Sequence, residues 1–211
     1  MYIELKNISK DIKGANVLSD INIRFESGKV YGLQGKNGCG KTMLMRMICG
    51  LIKPTTGTVD INGKLLWKDI SFPESVGTLI ENPAFLDNYT GFDNLKLLAS
   101  IKGCATDEDI RDAITRVGLD PYDKRKYRKY SLGMKQKLGI ACAFMEYPDL
   151  IILDEPINAI DKEGVLLIRN VLDELKKRDK IIIIACHDAA EMDVLADEII
   201  VMETGRISRD V

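Results

Sequence analysis

The sequence predicts an α/β protein in which a mostly parallel β-sheet is joined to an antiparallel β subdomain and an inserted lobe of helices. Three observations lead to this prediction. Apolar and polar residues alternate near the amino terminus, a glycine-rich loop follows a short buried strand, and strands alternate with helices late in the chain. Alternation is typical of half-buried antiparallel strands, whereas strands separated by helices indicate a parallel sheet covered on both faces.

Two β-rich stretches predict the antiparallel subdomain. Residues 2–25 alternate apolar and polar side chains, most clearly between Leu18 and Phe25. The second stretch, 58–66, is interrupted by Asn62-Gly63, a strong signal for a hairpin turn. We therefore expect paired antiparallel strands before and after the glycine-rich loop.

The remaining elements divide into a core and a lobe. Amphipathic helices over 94–101, 107–117 and 132–146 predict a helical lobe, 86–147, inserted into a core formed by residues 1–85 and 148–211. Core elements are predicted as strands over 29–33, 150–154, 181–186 and 198–203 and as helices over 43–49 and 162–177.

The composition is that of one folded domain without a basic excess. The 211 residues are 45% apolar, and 30 lysines and arginines face 32 acidic residues, for a net charge of -2. An extended nucleic-acid footprint needs clustered positive charge, so no nucleic-acid partner is expected.

The chain is expected to be soluble and intracellular. No apolar stretch approaches the run of about 20 residues that a spanning helix needs, and the amino-terminal residues lack the features of a signal peptide. Five cysteines, odd in number and without a Cys-x-x-Cys pair, favour reduced thiols in a cytosolic protein over a disulfide framework or a zinc site.

A phosphate-binding loop is the strongest functional signal. The pattern G-x-x-x-x-G-K-[ST] is matched in full by Gly35, Lys36, Asn37, Gly38, Cys39, Gly40, Lys41 and Thr42. Glycines let backbone N–H groups turn towards phosphate oxygens, and the following helix presents its positive end to the same anion. Lys41 would reach the β- and γ-phosphates, and the Thr42 hydroxyl would be a Mg²⁺ ligand. The loop predicts a P-loop NTPase core.

Two acids end the apolar strand predicted over 150–154. Strand ends of a parallel sheet meet at its ligand edge, so Asp154 would hold Mg²⁺ through a water and Glu155 would polarise the attacking water. His187, the chain's single histidine, follows another predicted strand and could contact the γ-phosphate or orient the water. Taken alone, the acids could simply mark a polar turn before Pro156, and a lone histidine is usually structural.

The order of these motifs resembles the ATP-binding subunit of ABC transporters along essentially the whole chain. The segment 130–136 resembles that family's signature motif in a variant form, with Leu132 and Met134 in place of a glycine and a glutamine. The resemblance implies that Ser131 and Gly133 contact the γ-phosphate of the nucleotide held by an opposite subunit. Without it, Ser131 is best explained as a plain helix cap.

The resemblance extends to three further segments. Residues 157–161 resemble the family's D-loop, and 76–83 correspond to its Q-loop, where Glu81 replaces the usual glutamine and could still ligate Mg²⁺. Ile12 stands where the family often stacks adenine on an aromatic ring, so an apolar contact replaces stacking. The motifs therefore admit GTP as well as ATP.

By resemblance, the chain would be the ATP-hydrolysing motor of an exporter. Two identical subunits would enclose ATP and Mg²⁺ and drive an integral membrane permease from the cytoplasmic face, with the permease docked beside residues 81–89. The alternatives are a soluble ABC-type ATPase acting on nucleic acid or ribosomes, and a P-loop nucleotide kinase. The basic segment 124–129 is interpreted as a solvated loop, with an acidic partner loop or anionic lipid as the alternative.

Overall fold

The computed structural model describes residues 1–187 and 189–208 of the chain. Residues 188 and 209–211 of the predicted core segment lie outside the described residues. The first part of the chain contains, in order, β1 (Tyr2–Ile12), β2 (Ala15–Glu26), β3 (Lys29–Gln34), α1 (Lys41–Ile48), β4 (Thr56–Ile61), β5 (Lys64–Leu65) and β6 (Val76–Leu79).

Helices dominate the middle of the chain, and strands alternate with helices again after it. These elements are α2 (Gly91–Lys102), α3 (Asp107–Arg116), α4 (Leu132–Phe144), β7 (Leu150–Asp154), α5 (Lys162–Lys177), β8 (Ile181–Cys186), α6 (Ala189–Leu195), β9 (Glu198–Glu203) and β10 (Arg206–Ile207). The predicted fold class is confirmed, with two sheets and three helices between β6 and β7.

The antiparallel sheet has the strand order β2-β1-β4-β5. Its inward side chains are buried, whereas their neighbours along each strand face solvent, which explains the alternation in the sequence. The predicted hairpin turn joins β4 to β5, with Asn62 and Gly63 both at positive φ. The Asp60 carboxylate accepts a 2.7 Å hydrogen bond from the Gly63 N–H and fixes this turn.

The second sheet has the order β10-β9-β3-β8-β7-β6 and is parallel except for β10. In the register of its central strands, Gln34 of β3 lies beside Cys186 of β8, and Asp154 of β7 lies beside Ala185. The carboxyl ends of the three strands therefore meet at one edge, which positions the candidate site.

One apolar core packs on each face of the parallel sheet. Along β8, Ile182 and Ile184 point into the core shared with the helices, whereas Ile181 and Ile183 point into the core shared with α1 and the antiparallel sheet. All four isoleucines are buried. A strand buried on both faces reads as a continuous apolar run, which is why the sequence signal here is so clear.

Local capping sets where two of the helices begin. The Thr90 hydroxyl accepts a hydrogen bond from the Asp93 N–H, so α2 begins three residues before the predicted start at Asn94. Thr106 and Asp109 form the same reciprocal box at the start of α3. Each box satisfies backbone groups that the first turn would leave without partners.

In the described part of the chain, three short elements were not predicted from the sequence, in addition to a single 3₁₀ turn at Tyr127–Lys129. They are β6, α6 and β10, of four, seven and two residues. Gly77 and Thr78 give β6 a weak strand pattern, and elements as short as α6 and β10 span too few residues to show a period. No helix in the described part of the chain has both the length and the apolar character that crossing a bilayer requires.

Gly77 of β6 provides a test of the packing between the sheet and α4. A Cβ atom added there would collide with the Ala143 carbonyl oxygen and lie 2.8 Å from Pro148. We expect Gly77→Ala to lower the free energy of unfolding by about 2–3 kcal/mol, because backbone cannot yield as a flexible side chain can. Urea denaturation checks this value. Thr78→Ala, on an exposed neighbour, should change it by less than about 0.5 kcal/mol; equal effects of the two variants would contradict the packing.

Candidate active site

The loop 35–42 connects β3 to α1 with a backbone that requires glycine. Gly35 and Gly40 have φ values of 156° and 110°. A Cβ atom on Gly35 would collide with the Met202 carbonyl oxygen, and one on Gly40 would lie 2.8 Å from the Leu18 side chain. The loop therefore packs closely on both sheets, and the helix that follows has no side-chain cap at its first turn. Uncapped N–H groups at that position are suited to binding an anion.

Lys41 and Thr42, the last two residues of the motif, point in different directions. The Lys41 ammonium is buried and donates hydrogen bonds to the Gly35 carbonyl at 2.5 Å and the Lys36 carbonyl at 3.4 Å. The Thr42 hydroxyl donates a 2.7 Å hydrogen bond to a carboxylate oxygen of Asp154. This bond joins the loop to the end of β7.

Asp154 is a buried carboxylate beside several charges. Burial raises the pKa of its carboxyl group above the ordinary value, and the negative charges of Glu155 and Glu81 raise it further. The Thr42 hydrogen bond and the Lys41 charge lower this pKa and only partly offset the burial. A cation at this position would relieve the cost of the buried negative charge.

Glu155 and His187 form a pair where β7 and β8 end. Glu155 has φ 48°, and its backbone N–H donates to the Ala185 carbonyl at 2.9 Å. Its carboxylate lies 2.9 Å from Nδ1 of His187. The two side chains are 25% and 52% exposed, so the pair is reached from solvent.

Two cavities border the loop. A cavity of about 290 Å³ lies along Gly38 to Met43 and is also lined by Val17, Asp154 and Glu155. A larger one, of about 910 Å³, lies along residues 34–39 and is lined by His187, by the end of β9 and by Thr204, which follows that strand. The structure thus brings the loop, both acids and the histidine together, as the strand order predicts.

A scan of family models matches residues 18–158 to the ABC transporter family. The chain is also 50% identical over 205 residues to an ABC transporter ATP-binding protein of Bacillus subtilis, a match that covers 97% of this chain and 94% of that protein. The chain belongs to the ABC transporter family. It is one of the ATP-binding subunits of that family.

Other similar proteins include one named for the compound it transports and two solved structures. The bacitracin transport ATP-binding protein of Enterococcus faecalis is 40% identical over 211 residues, 99% of this chain and 68% of that protein. The structure of an ATP-binding subunit of an ABC transporter is 27% identical with a TM-score of 0.88, covering 98% of this chain and 88% of that one. A dimeric ATP-binding cassette bound to ADP and Pi shares the fold, with 22% identity, a TM-score of 0.86 and coverage of 98% and 97%.

The segment 130–136, which resembles the signature motif, does not line the two cavities beside the phosphate loop. Ser131 is the N-cap of α4, and its exposed hydroxyl accepts a 3.2 Å hydrogen bond from the Met134 N–H. A Cβ atom on Gly133 would lie 2.6 Å from the Ala159 carbonyl oxygen. The close approach that Gly133 permits within the chain is therefore to Ala159 of the segment 157–161, and Ala159 has φ 61°.

Gln136 is a residue at the site to which the sequence reasoning assigned no role. Its buried side-chain amide donates to the Glu155 carbonyl at 2.8 Å and the Pro156 carbonyl at 3.3 Å. These hydrogen bonds connect α4 to the turn that contains Glu155 and Pro156. In the sequence, Gln136 is a polar residue on an otherwise apolar helix face. This pattern indicates a structural role, because a buried amide needs hydrogen-bond partners.

Glu81 and Ile12 make no hydrogen bond to the phosphate loop among the described residues, unlike Asp154. The Glu81 carboxylate forms an ion pair with Arg46 of α1, yet it is near enough to Asp154 to raise the pKa of that carboxyl group. Ile12 lies exposed at the end of β1 and is not among the residues lining the two cavities, whereas Val17 is. An apolar contact beside the loop is thus available from β2.

The basic segment 124–129 is only partly the solvated loop that was expected. Its lysines and arginines are exposed, but Tyr127 is buried and its hydroxyl donates to the Pro83 carbonyl at 2.7 Å. This hydrogen bond fixes the basic segment to Pro83, at the end of the segment 76–83.

The buried charge of Asp154 leads to a pH-dependent prediction. Because the folded-state pKa is raised, the stabilising contribution of the protonated carboxyl is fully present below the ordinary value of 3.8 and is lost as the pH rises through the folded-state pKa. We expect Asp154→Asn, whose amide oxygen can still accept from Thr42, to be more stable than the original protein at neutral pH without nucleotide.

Urea unfolding at several pH values checks this expectation, and the difference should close as the pH falls. Asp149→Asn, an exposed carboxylate before the same strand, is the control and should show no such gain. An Asp154→Asn protein that is less stable at neutral pH would contradict the argument.

Proposed function

We propose that this subunit hydrolyses ATP between two copies of itself and so drives an integral membrane permease, as an exporter. A single arrangement supports the proposal: Lys41, Thr42, Asp154, Glu155 and His187 share one sheet edge. Thr42 is hydrogen-bonded to Asp154 there, and Glu155 to His187. In this role the subunit would work at the cytoplasmic face of the membrane through its partner.

The donor atoms at the end of β7 fit a magnesium ion. The Thr42 hydroxyl and the Asp154 carboxylate supply adjacent hard oxygen atoms, and the Asp154 charge is buried without full compensation. Mg²⁺ takes such ligands and keeps several waters, and when bound it neutralises phosphate charge. Glu81 is the third candidate, because the Arg46 pair holds its carboxylate nearby.

The phosphate loop would hold the nucleotide through its N–H groups and Lys41. The Lys41 ammonium donates to two loop carbonyls, and it would exchange these for phosphate oxygens. Ile12 is exposed and Val17 half-buried, and the apolar side chains of both supply no base-specific hydrogen bond. ATP is the nucleotide favoured by the family, and these residues do not themselves discriminate against GTP.

Glu155 would accept the proton of the attacking water. Its partner His187 fixes the carboxylate at 2.9 Å and would contact the γ-phosphate through the other ring nitrogen. The backbone of Glu155 is held from two sides, by Ala185 and by Gln136, so the carboxylate is positioned before the nucleotide arrives.

A second copy of the chain would complete each site. Ser131 is exposed at the start of α4 and does not line the two cavities beside the phosphate loop of its own chain. Its hydroxyl would therefore reach a nucleotide only when that nucleotide is bound by a second copy. A cassette of the same fold, bound to ADP and Pi, is dimeric, which supports pairing of this chain. The start of α4 would present Ser131 and Gly133 to the γ-phosphate of the opposite nucleotide.

The permease would dock beside the Q-loop. A groove of about 350 Å³ lies between Arg46 and Leu51 on one side and Pro83, Phe85 and Cys142 on the other. We assign residues 86–147 to a lobe that moves with the permease, and residues 1–85 and 148–211 to the nucleotide-binding core. Relatives named for bacitracin and lantibiotic transport favour export over a soluble role on nucleic acid or ribosomes.

Glu155→Gln tests the hydrolytic role. We expect ATP binding to persist while the ATPase rate falls by about 10²-fold or more, since an amide cannot accept the proton. The ATP-bound dimer should accumulate and be visible by size-exclusion chromatography with light scattering. Glu163→Gln, an exposed acid at the start of α5, should leave the rate unchanged. A Glu155→Gln protein with near-normal turnover would remove this residue from the reaction.

Ser131→Arg tests the shared site. We expect the arginine to block ATP-dependent dimerisation without weakening ATP binding to the monomer, because Ser131 lies away from its own loop. Thr106→Arg is a matched control, since it removes the exposed N-cap of α3 at a similar cost of about 1 kcal/mol. Analytical ultracentrifugation in the presence of ATP distinguishes the two variants, because only Ser131→Arg should stay monomeric. If Ser131→Arg still forms a dimer, Ser131 acts only as the N-cap of α4.

A further inference from the structure

A sulfur, a ring nitrogen and a carboxylate oxygen, three kinds of atom that can bind metal ions, lie together beside the phosphate loop. Cys186 ends β8, His187 follows it, and Glu155 follows the paired strand β7. The Cys186 sulfur, a His187 ring nitrogen and a Glu155 carboxylate oxygen are all within 4.8 Å of one another. Thiolate, imidazole and carboxylate are the ligand types that zinc takes in proteins.

We propose that Glu155, Cys186 and His187 form a binding site for Zn²⁺, and that the bound ion inhibits ATP hydrolysis by occupying Glu155. The binding site itself follows from the geometry of the three side chains. The inhibition rests on the proposed role of Glu155 as the group that accepts the proton of water.

The three donor atoms are close enough together for one zinc ion to bind them after small side-chain movements. Tetrahedral zinc with bonds of about 2.0–2.3 Å holds its donor atoms about 3.3–3.7 Å apart. His187 Nδ1 and Glu155 Oε2 are 2.9 Å apart and need to separate slightly. Both side chains are partly exposed and can rotate, whereas Cys186 is fully buried in its strand. The sulfur thus gives the site a fixed anchor.

A fourth ligand is available from α6 or from solvent. The Glu191 carboxylate lies 3.4 Å from the Cys186 sulfur, with the thiol as donor. When zinc binds, the sulfur forms a bond to the ion and its proton is released to solvent. Carboxylate and thiolate then supply the negative charge that balances the ion.

The site differs in chemistry from the one proposed for Mg²⁺. Thr42 and Asp154 offer hard oxygen atoms, whereas sulfur and imidazole select softer transition-metal ions. Glu155 lines the smaller cavity beside the loop and His187 the larger, so zinc would enter from the side of the nucleotide. Because Mg²⁺ binds sulfur and imidazole weakly, excess Mg²⁺ would not displace the zinc ion from this site.

Binding is tested with Co²⁺ as a spectroscopic substitute for zinc in the nucleotide-free protein. We expect a thiolate-to-cobalt absorption band in the original protein that Zn²⁺ abolishes by displacement. Cys186→Ala should lack the band. Cys104→Ser, which replaces an exposed cysteine remote from this cluster in sequence, should keep it.

Inhibition is tested by measuring ATPase activity against Zn²⁺ at fixed excess of Mg²⁺ and ATP. Removal of a residue that only hydrogen-bonds to a metal ligand lowers metal affinity by about 10- to 100-fold. Cys186 would bind the ion directly, so Cys186→Ala should raise the half-inhibiting zinc concentration by at least about tenfold. Cys104→Ser should leave it unchanged, and a chelator should restore activity. Cys186→Ser keeps a hydroxyl donor for Glu191 and serves if the alanine variant folds poorly.

The two experiments separate the site from the catalytic assignment. Absence of the cobalt band, or a band that survives Cys186→Ala, overturns the metal site. A band that depends on Cys186 without any zinc inhibition supports the site but contradicts the proposed role of Glu155. Equal zinc sensitivity of Cys186→Ala and the original protein overturns inhibition through this cluster.

Discussion

The parallel register of β3, β7 and β8 is the constraint on which the candidate site depends. It brings the phosphate loop, the Asp154-Glu155 pair and His187 to one edge, although they are far apart in the sequence. Both faces of these strands are buried in apolar cores, and this packing holds the strands together beneath the edge. The chemistry at the edge is thus fixed by apolar packing beneath it.

Much of this arrangement could be predicted from the sequence. The strands of the core are continuous apolar runs, so β7, β8 and β9 begin and end where the sequence indicates, and α5 matches its predicted bounds. The phosphate loop was equally clear, because its glycine positions follow from the backbone that such a loop requires. These signals are local, and a single segment contains each of them.

What could not be predicted depends on contacts between segments. Nothing in the sequence near Gly133 indicates that Ala159 occupies the space beside it, and the pairing of Glu81 with Arg46 joins positions in separate elements. The buried amide of Gln136 was visible as a polar residue in an apolar helix, but its two carbonyl partners were not. Side-chain partners across elements require the tertiary structure.

Gln136 has a consequence for how two proposed half-sites would communicate. Its amide binds the backbone of Glu155, the acid that would serve the chain's own nucleotide, while the first turn of the same helix would face the nucleotide of the other copy. A shift of Glu155 after phosphate loss would therefore displace the helix that would contact the opposite phosphate. Release of one nucleotide and loosening of the other would then be mechanically linked through a single side chain.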